Sequence, residues 1–136
     1  MEQCELSREE ILRRKKLSEN TRKMICDSLE IKSQNETSIE AAYEGFELKI
    51  LFSELHPLMV FCLEKPLEEI KKTISSRTNF VNLTSVLGSH CVNEYVGKYQ
   101  YRATHWLDTE ITQTRFLEIL GRCAIEASRG YQRLAS

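Results

Sequence analysis

The sequence has few of the residues that make turns. Its 136 residues include five glycines and two prolines, whereas folds built from many short strands need turn residues at regular intervals. This scarcity favours helix, and we expect an all-α fold, a compact bundle of five or six helices. A chain of this length forms one domain, residues 1–136, in which residues 1–6 are expected to be flexible.

The sequence also lacks a large net charge, a secretion signal and a membrane-spanning run. The formal net charge is −1, so bulk charge favours neither nucleic acid nor membrane. The N-terminal MEQCELSREE is polar and has no apolar core of a signal peptide. The five cysteines are odd in number and form no CxxC pair, which indicates reduced thiols. We therefore expect no membrane contact and a cytoplasmic or nuclear location.

The densest apolar segment is LKILFSELHPLMVFCL, residues 48–63. It is shorter than the roughly 20 apolar residues of a membrane helix, and such a run belongs at the centre of a soluble core. Around it, apolar spacing predicts consecutive helices over residues 39–56, 57–63, 66–74 and 80–95. Alternation between residues 95 and 101 favours a short strand as a minority interpretation.

Two longer helices are predicted at the ends of the chain. Ser7 and Glu10 form a capping box, which starts a helix that runs to about Ile31. Asp108 or Thr109 is expected to cap the C-terminal helix. Its apolar residues follow the a/d spacing of a helix–helix seam: Leu117, Leu120, Ala124, Ala127, Tyr131 and Leu134. This stripe either covers the core of one monomer or forms a dimer interface, and both interpretations stay open.

The first helix carries a basic cluster: Arg13, Arg14, Lys15, Lys16, Arg22 and Lys23. One half of such a helix could face phosphates and bind nucleic acid in a salt-dependent way, or it could bind an acidic partner or act as an import signal. A solvated face with local ion pairs is the alternative. Nothing resembling a nucleic-acid-binding motif accompanies the cluster.

An aromatic and basic run precedes the last helix: Tyr95, Lys98, Tyr99, Tyr101, Arg102, His105 and Trp106. Tyrosine, tryptophan and arginine are enriched at protein interfaces, and aromatics between cations also stack bases. We assign Tyr99, Tyr101, Arg102 and Trp106 to a protein interface. The alternative is an ordinary connection with Tyr95 and Trp106 partly buried.

Catalytic and metal-binding patterns are missing from the sequence. The histidines and cysteines are His56, Cys62, His90, Cys91, His105 and Cys123, apart from the N-terminal Cys4 and Cys26. They lack the short paired spacing of a zinc site. A nucleophile pair of Cys91 or Cys62 with His105 would lack an orienting group. The phosphate loop, the nucleophile elbow, the HExxH helix and the calcium loop do not occur. We expect no catalytic residue, cofactor, metal or small-molecule substrate.

By exclusion, the sequence favours a non-enzymatic protein–protein interaction module, an adaptor or assembly subunit, for which a homodimer is one open alternative. The partner would be another protein or a second copy of the chain. The alternative function is a helical nucleic-acid-binding protein that uses the basic first helix.

Overall fold

The structure is a computed structural model that describes residues 6–53 and 56–136. Within these residues the fold is α+β, so the expected all-α helical bundle is wrong. The elements in chain order are α1 (Arg8–Ser28), β1 (Ile31–Gln34), β2 (Ser38–Tyr43), β3 (Phe46–Phe52), β4 (Leu58–Pro66), α2 (Ile74–Leu83), β5 (Ser89–Asn93), β6 (Lys98–Trp106) and α3 (Gln113–Ala135).

The six strands form one antiparallel sheet in the order β1-β2-β3-β4-β6-β5. The helix α3 contacts β4 and β6, and both α1 and α2 contact α3. Side chains alternate between a buried and an open face, as they do in β3, where Leu48 and Ile50 are buried and Glu47 and Lys49 are exposed. The domain therefore has two layers, with helices over one face of the sheet.

The central segment 48–63 forms the two middle strands instead of the predicted helices. Leu48 pairs with Leu63 and Ile50 with Phe61, and all four side chains are buried. The central position in the core is thus confirmed, and the secondary structure is wrong. Residues 54–55 of this segment lie outside the described residues, as do residues 1–5 of the segment that we expected to be flexible.

The predicted helix over residues 39–56 is a hairpin of β2 and β3. Glu44 and Gly45 have φ angles of 51° and 82° and link the paired residues Tyr43 and Phe46. Two consecutive positive φ angles match the right-handed twist of a two-residue hairpin. The period of two in Phe46, Leu48, Ile50 and Phe52 belongs to a strand with one face buried.

The predicted helices over residues 57–63, 66–74 and 80–95 are also wrong. The first lies in β4, and α2 runs only from Ile74 to Leu83, so it overlaps the other two predicted helices only at residues 74 and 80–83. The hydroxyl groups of Thr84 and Ser85 donate to the carbonyl of Val81 at 3.0 and 2.8 Å. Such bonds compete with the helical ladder, and α2 ends at Leu83. The minority interpretation of a strand over residues 95–101 is correct for residues 98–101, which lie in β6, whereas residues 95–97 form a turn between β5 and β6.

The two terminal helices are confirmed. The Ser7 hydroxyl accepts from the backbone N–H of Glu10 at 3.1 Å, as a capping box requires. The helix α3 begins later than predicted, because Thr112 is its cap. None of the described helices is both long and apolar enough to cross a bilayer.

Candidate protein-binding surface

A groove between α2 and α3 is bordered by large apolar side chains that stay in solvent. Val86 and Leu87 of the loop after α2 and Ile125 of α3 line the groove, and Phe80 and Leu83 are exposed on the neighbouring α2. Leu83 is 84% exposed and Val86 is 88% exposed. Isolated exposed apolar residues are ordinary, but several around one concave surface are typical of an interaction site. We call these five residues the apolar cluster.

The loop that carries Val86 and Leu87 is held in place by Glu126 of α3. The Glu126 carboxylate accepts from the backbone N–H groups of Val86, Leu87 and Gly88 at 2.9, 3.1 and 2.8 Å. It also accepts from the Tyr101 hydroxyl at 2.8 Å. Burial raises the pKa of Glu126, but these donors outweigh it and lower the pKa overall. These bonds fix the loop and hold the side chains of Val86 and Leu87 in an exposed position.

The other end of the loop is fixed by the buried His90. Its Nε2 lies 2.6 Å from the Ser85 Oγ and its Nδ1 lies 2.5 Å from the Tyr99 hydroxyl oxygen. Burial raises the pKa of Tyr99, so its hydroxyl keeps its proton. Among the described residues the only acceptor in reach of that proton is the Nδ1 of His90, so Nε2 carries the ring proton and donates to Ser85.

The direction of these bonds argues against a serine nucleophile. Ser85 accepts from the His90 Nε2–H and donates its own proton to the Val81 carbonyl at 2.8 Å. A general base would instead have to accept the proton of Ser85. An oxyanion hole needs free N–H donors, and the nearby backbone N–H groups of Val86 and Gly88 already donate to Glu126. The hydrogen bonds among Ser85, His90 and Tyr99 therefore hold the loop in position.

The groove encloses about 770 Å³ and has an apolar lining with a basic border. Val81, Val86, Leu87 and Ile125 supply the apolar lining, with His90 and Gly130 at the floor. Three arginines of α3 also line it: Arg122, Arg129 and Arg133. Arg122 pairs with Glu118 at 3.0 Å, and the guanidinium of Arg133 lies over the Phe80 ring at 5.7 Å. This combination suits a partner that is apolar in its centre and acidic at its edge.

The basic cluster of α1 is partly engaged in contacts within the chain. Glu10 forms hydrogen bonds with Arg13 and Arg14, which lower the pKa of this carboxyl to about 2. Arg22 donates to the backbone carbonyls of Asn35 and Glu36. Lys15, Lys16 and Lys23 are exposed. Binding of nucleic acid or of an acidic partner by these six residues remains a prediction.

The residues that we assigned to a protein interface divide into buried and exposed groups. Tyr99 and Tyr101 lie in the core, and Arg102 and Trp106 are exposed on the open face of the sheet. Within the C-terminal stripe Leu120, Ala124, Ala127 and Leu134 are buried in the chain's own core, and Leu117 and Tyr131 are packed against it. The stripe therefore covers the core of one monomer, which is the first of the two interpretations that the sequence left open.

The remaining histidines and cysteines do not come together as a site. Within residues 6–53 and 56–136 no three metal-ligating side chains are placed to hold an ion. Cys62 pairs with Arg102 and His105 with Met59 across β4 and β6, so Cys62 and His105 point to opposite faces of the sheet. Burial raises the pKa of the Cys62 and Cys123 thiols, which keeps them protonated.

Sequence reasoning missed the apolar cluster, because Phe80, Leu83 and Leu87 fell at helical spacing and were assigned to a buried helix face. A signal was available in the Thr84-Ser85 pair and Gly88, which are turn residues. It would have ended the helix early and left Val86 and Leu87 in a loop. Nothing in the sequence could place Ile125 opposite them.

Comparison with known proteins finds similarity in fold only. No protein-family model and no curated protein matches the sequence. YbjN of E. coli, a candidate transcription regulator, superimposes with a TM-score of 0.64 at 10% identity, over 83% of this chain and 87% of that chain.

Two further similar structures are complexes of chaperones with other proteins. A chain of the HopA1–SchA chaperone–effector complex has a TM-score of 0.60 at 8% identity and covers 93% of this chain and 99% of that chain. A chain of the complex between SycH, a type III secretion chaperone of Yersinia pestis, and a fragment of YscM2 has a TM-score of 0.57 at 12% identity, over 83% and 98%. The α+β fold of this chain is thus the fold found in type III secretion chaperone complexes. At these identities the likeness establishes the fold and assigns a role to none of the residues.

Proposed function

We propose that this protein is a non-enzymatic protein-binding module that acts as a chaperone or adaptor for another protein. The observation that carries the proposal is the apolar cluster at the α2–α3 groove. Two of its residues, Val86 and Leu87, lie on a loop that Glu126 and His90 hold in place. A preorganised apolar surface lowers the entropic cost of binding, and apolar side chains that remain exposed in the free protein become buried when a partner covers them.

The fold comparison supports the same proposal. HopA1–SchA is a chaperone–effector complex, and SycH is bound to a fragment of YscM2. In each of the two complexes a chain of similar topology is found with a protein partner. Because one fold hosts many functions, the apolar cluster carries the argument and the likeness adds to it.

The edges of the sheet favour binding through a face and disfavour addition of a strand. The side-chain amide of Asn82 accepts from the His90 N–H at 2.6 Å and donates to the His90 carbonyl at 2.9 Å. It thereby occupies the outward N–H and C=O groups of His90 on the edge strand β5. At the other edge, β1 is four residues long and its register shifts between Ile31 and Ser33. Short, irregular or covered edges are the usual protection against strand addition.

The test is partner capture with a surface variant and a matched control. We expect the double variant Val86→Gln/Ile125→Gln to lose a protein that the wild type retains from a lysate of the cells that produce it. Leu12→Gln on α1 is the control, since Leu12 is as exposed as Ile125, at 59% against 56%. Quantitative mass spectrometry compares the three captures. If the groove variant and the control retain the same proteins in the same amounts, the proposed surface is wrong.

A further inference from the structure

We propose that the α2–α3 groove takes an amphipathic helix of the partner that carries acidic residues beside its apolar stripe. This inference rests on the proposed protein-binding function and adds the chemical class of the segment that is bound. It follows from the shape of the groove and from the charges at its border.

The shape of the groove favours a helix. One long wall is α3, which lines the groove from Arg122 to Arg133, a length of about 16 Å. The opposite wall is Val81 at the end of α2 with the loop of residues 84–87. A helix presents apolar side chains at i, i+3, i+4 and i+7, which is the spacing read by helix-binding grooves. An extended segment would gain its main-chain hydrogen bonds only at a sheet edge, and at the nearest edge the N–H and C=O groups of His90 are already bonded to Asn82.

The charges at the border are arginines without a matching set of free carboxylates. Arg129 has no ion pair or hydrogen-bond partner in the described part of the chain, and the guanidinium of Arg133 lies over the Phe80 ring. Glu126 is the acidic side chain that lines the groove, and it is used by the loop. The chain as a whole has a net charge of −1, so this basic border is a local feature. Complementary carboxylates on a partner would both steer and orient it.

The same charges disfavour a second copy of this chain as the occupant. A two-fold dimer formed through this groove would place the α3 arginines of both copies in one interface. Like charges placed opposite each other at an interface are unfavourable. An acidic segment of a different protein avoids this repulsion.

The test uses a displayed library of 16-residue helices as the probe. Its stripe positions are drawn from Leu, Ile, Phe and Ala, and its flanking positions from Glu, Gln and Lys. We expect selection on the wild-type protein to enrich Glu at the flanks and large apolar residues in the stripe. A synthetic copy of the enriched peptide should bind Arg129→Glu/Arg133→Glu at least about tenfold more weakly in fluorescence anisotropy, and binding of the wild type should weaken as salt increases.

The matched control is Lys15→Glu/Lys16→Glu, which changes the net charge equally on an exposed part of α1 and should leave peptide binding within about twofold. Recovery of no peptide, equal recovery of Lys-flanked peptides, or an equal loss in both variants would overturn the acidic-helix inference. These results would leave the capture experiment unaffected. If Val86→Gln/Ile125→Gln still abolishes capture, protein binding stands and only the class of segment is wrong.

Discussion

Replacing Gly130 by alanine tests how tightly His90 is enclosed beneath the loop. Within a helix, Gly→Ala ordinarily stabilises by about 1 kcal/mol. A Cβ at position 130 would lie 2.4 Å from the Cε1 and Nδ1 atoms of His90 and 3.0 Å from the Tyr99 hydroxyl oxygen. Real side chains do not tolerate such distances, so the buried ring has to move.

The expected loss follows from two costs and one gain. Overpacking a core costs about 1–3 kcal/mol, and a buried hydrogen bond that is broken at Ser85 or Tyr99 costs about 1–3 kcal/mol more. With about 1 kcal/mol gained from helix propensity, the net loss in the free energy of unfolding is about 1–5 kcal/mol. Urea unfolding followed by circular dichroism measures it.

Gly121→Ala is the control on the same helix. Its Cβ would lie 3.6 Å from the Tyr43 hydroxyl oxygen, an ordinary contact, so this variant should be as stable as the wild type or gain up to about 1 kcal/mol. The double variant Gly130→Ala/His90→Ala should lose less than the sum of the single variants, because removal of the ring removes the clash. Equal stabilities of the Gly130 and Gly121 variants would refute the packing described around His90.

Three other predictions concern pH, the loop and the basic helix. Burial lowers the pKa of His90, so on acidification the unfolded chain binds a proton before the folded chain does. The free energy of unfolding should therefore fall as the pH drops below about 6.5. His90→Gln should reduce this pH dependence in urea titrations between pH 7.5 and 5.5, and an unchanged dependence would show that the ring is solvated. Glu126→Gln should cost about 1–3 kcal/mol and speed hydrogen exchange at the amides of residues 86–88, whereas unchanged exchange would show that the carboxylate does not hold the loop. Reversal of residues 13–16 to glutamate should leave partner capture intact; loss of salt-sensitive binding to nucleic acid in a filter assay would instead favour the alternative function.

Local signals in the sequence predicted the terminal helices. Ser7 and Glu10 stand at the right spacing for a capping box, and the gaps of three and four residues from Leu117 to Leu134 mark one helix face. Both patterns depend on residues that are close in the chain, so no tertiary information was needed. The burial of segment 48–63 was predictable for a similar reason, since apolar density alone determines it.

The sheet was missed because short apolar runs fit helical and strand periods equally well. The set Ile39, Ala42, Tyr43 and Phe46 satisfied a period of 3.6, although Phe46, Leu48, Ile50 and Phe52 satisfied a period of two just as well. The turn at Glu44–Gly45 decides between them, and its glycine was the available evidence. Few glycines and prolines did not exclude strands, because the hairpin turn uses one glycine.

The groove depended on long-range placement that no local pattern contains. Val86 and Ile125 line the same surface although they are far apart in the chain. Likewise, Glu126 reaches the amides of residues 86–88 only because α3 crosses beside the loop. From the sequence alone, a carboxylate on a helix face is expected to be solvated. Its role becomes evident only when the elements are packed together.

The most direct measurement for the central claim is photo-cross-linking from within the groove. A photoreactive amino acid at position 86 should give a discrete protein adduct in a lysate of the producing cells, whereas the same label at position 12 should not. The adduct should disappear in the Ile125→Gln background and should differ in mass from twice 15.9 kDa, because the occupant is another protein. An identical adduct pattern from both positions, or a cross-link only to a second copy of the chain, would contradict the account.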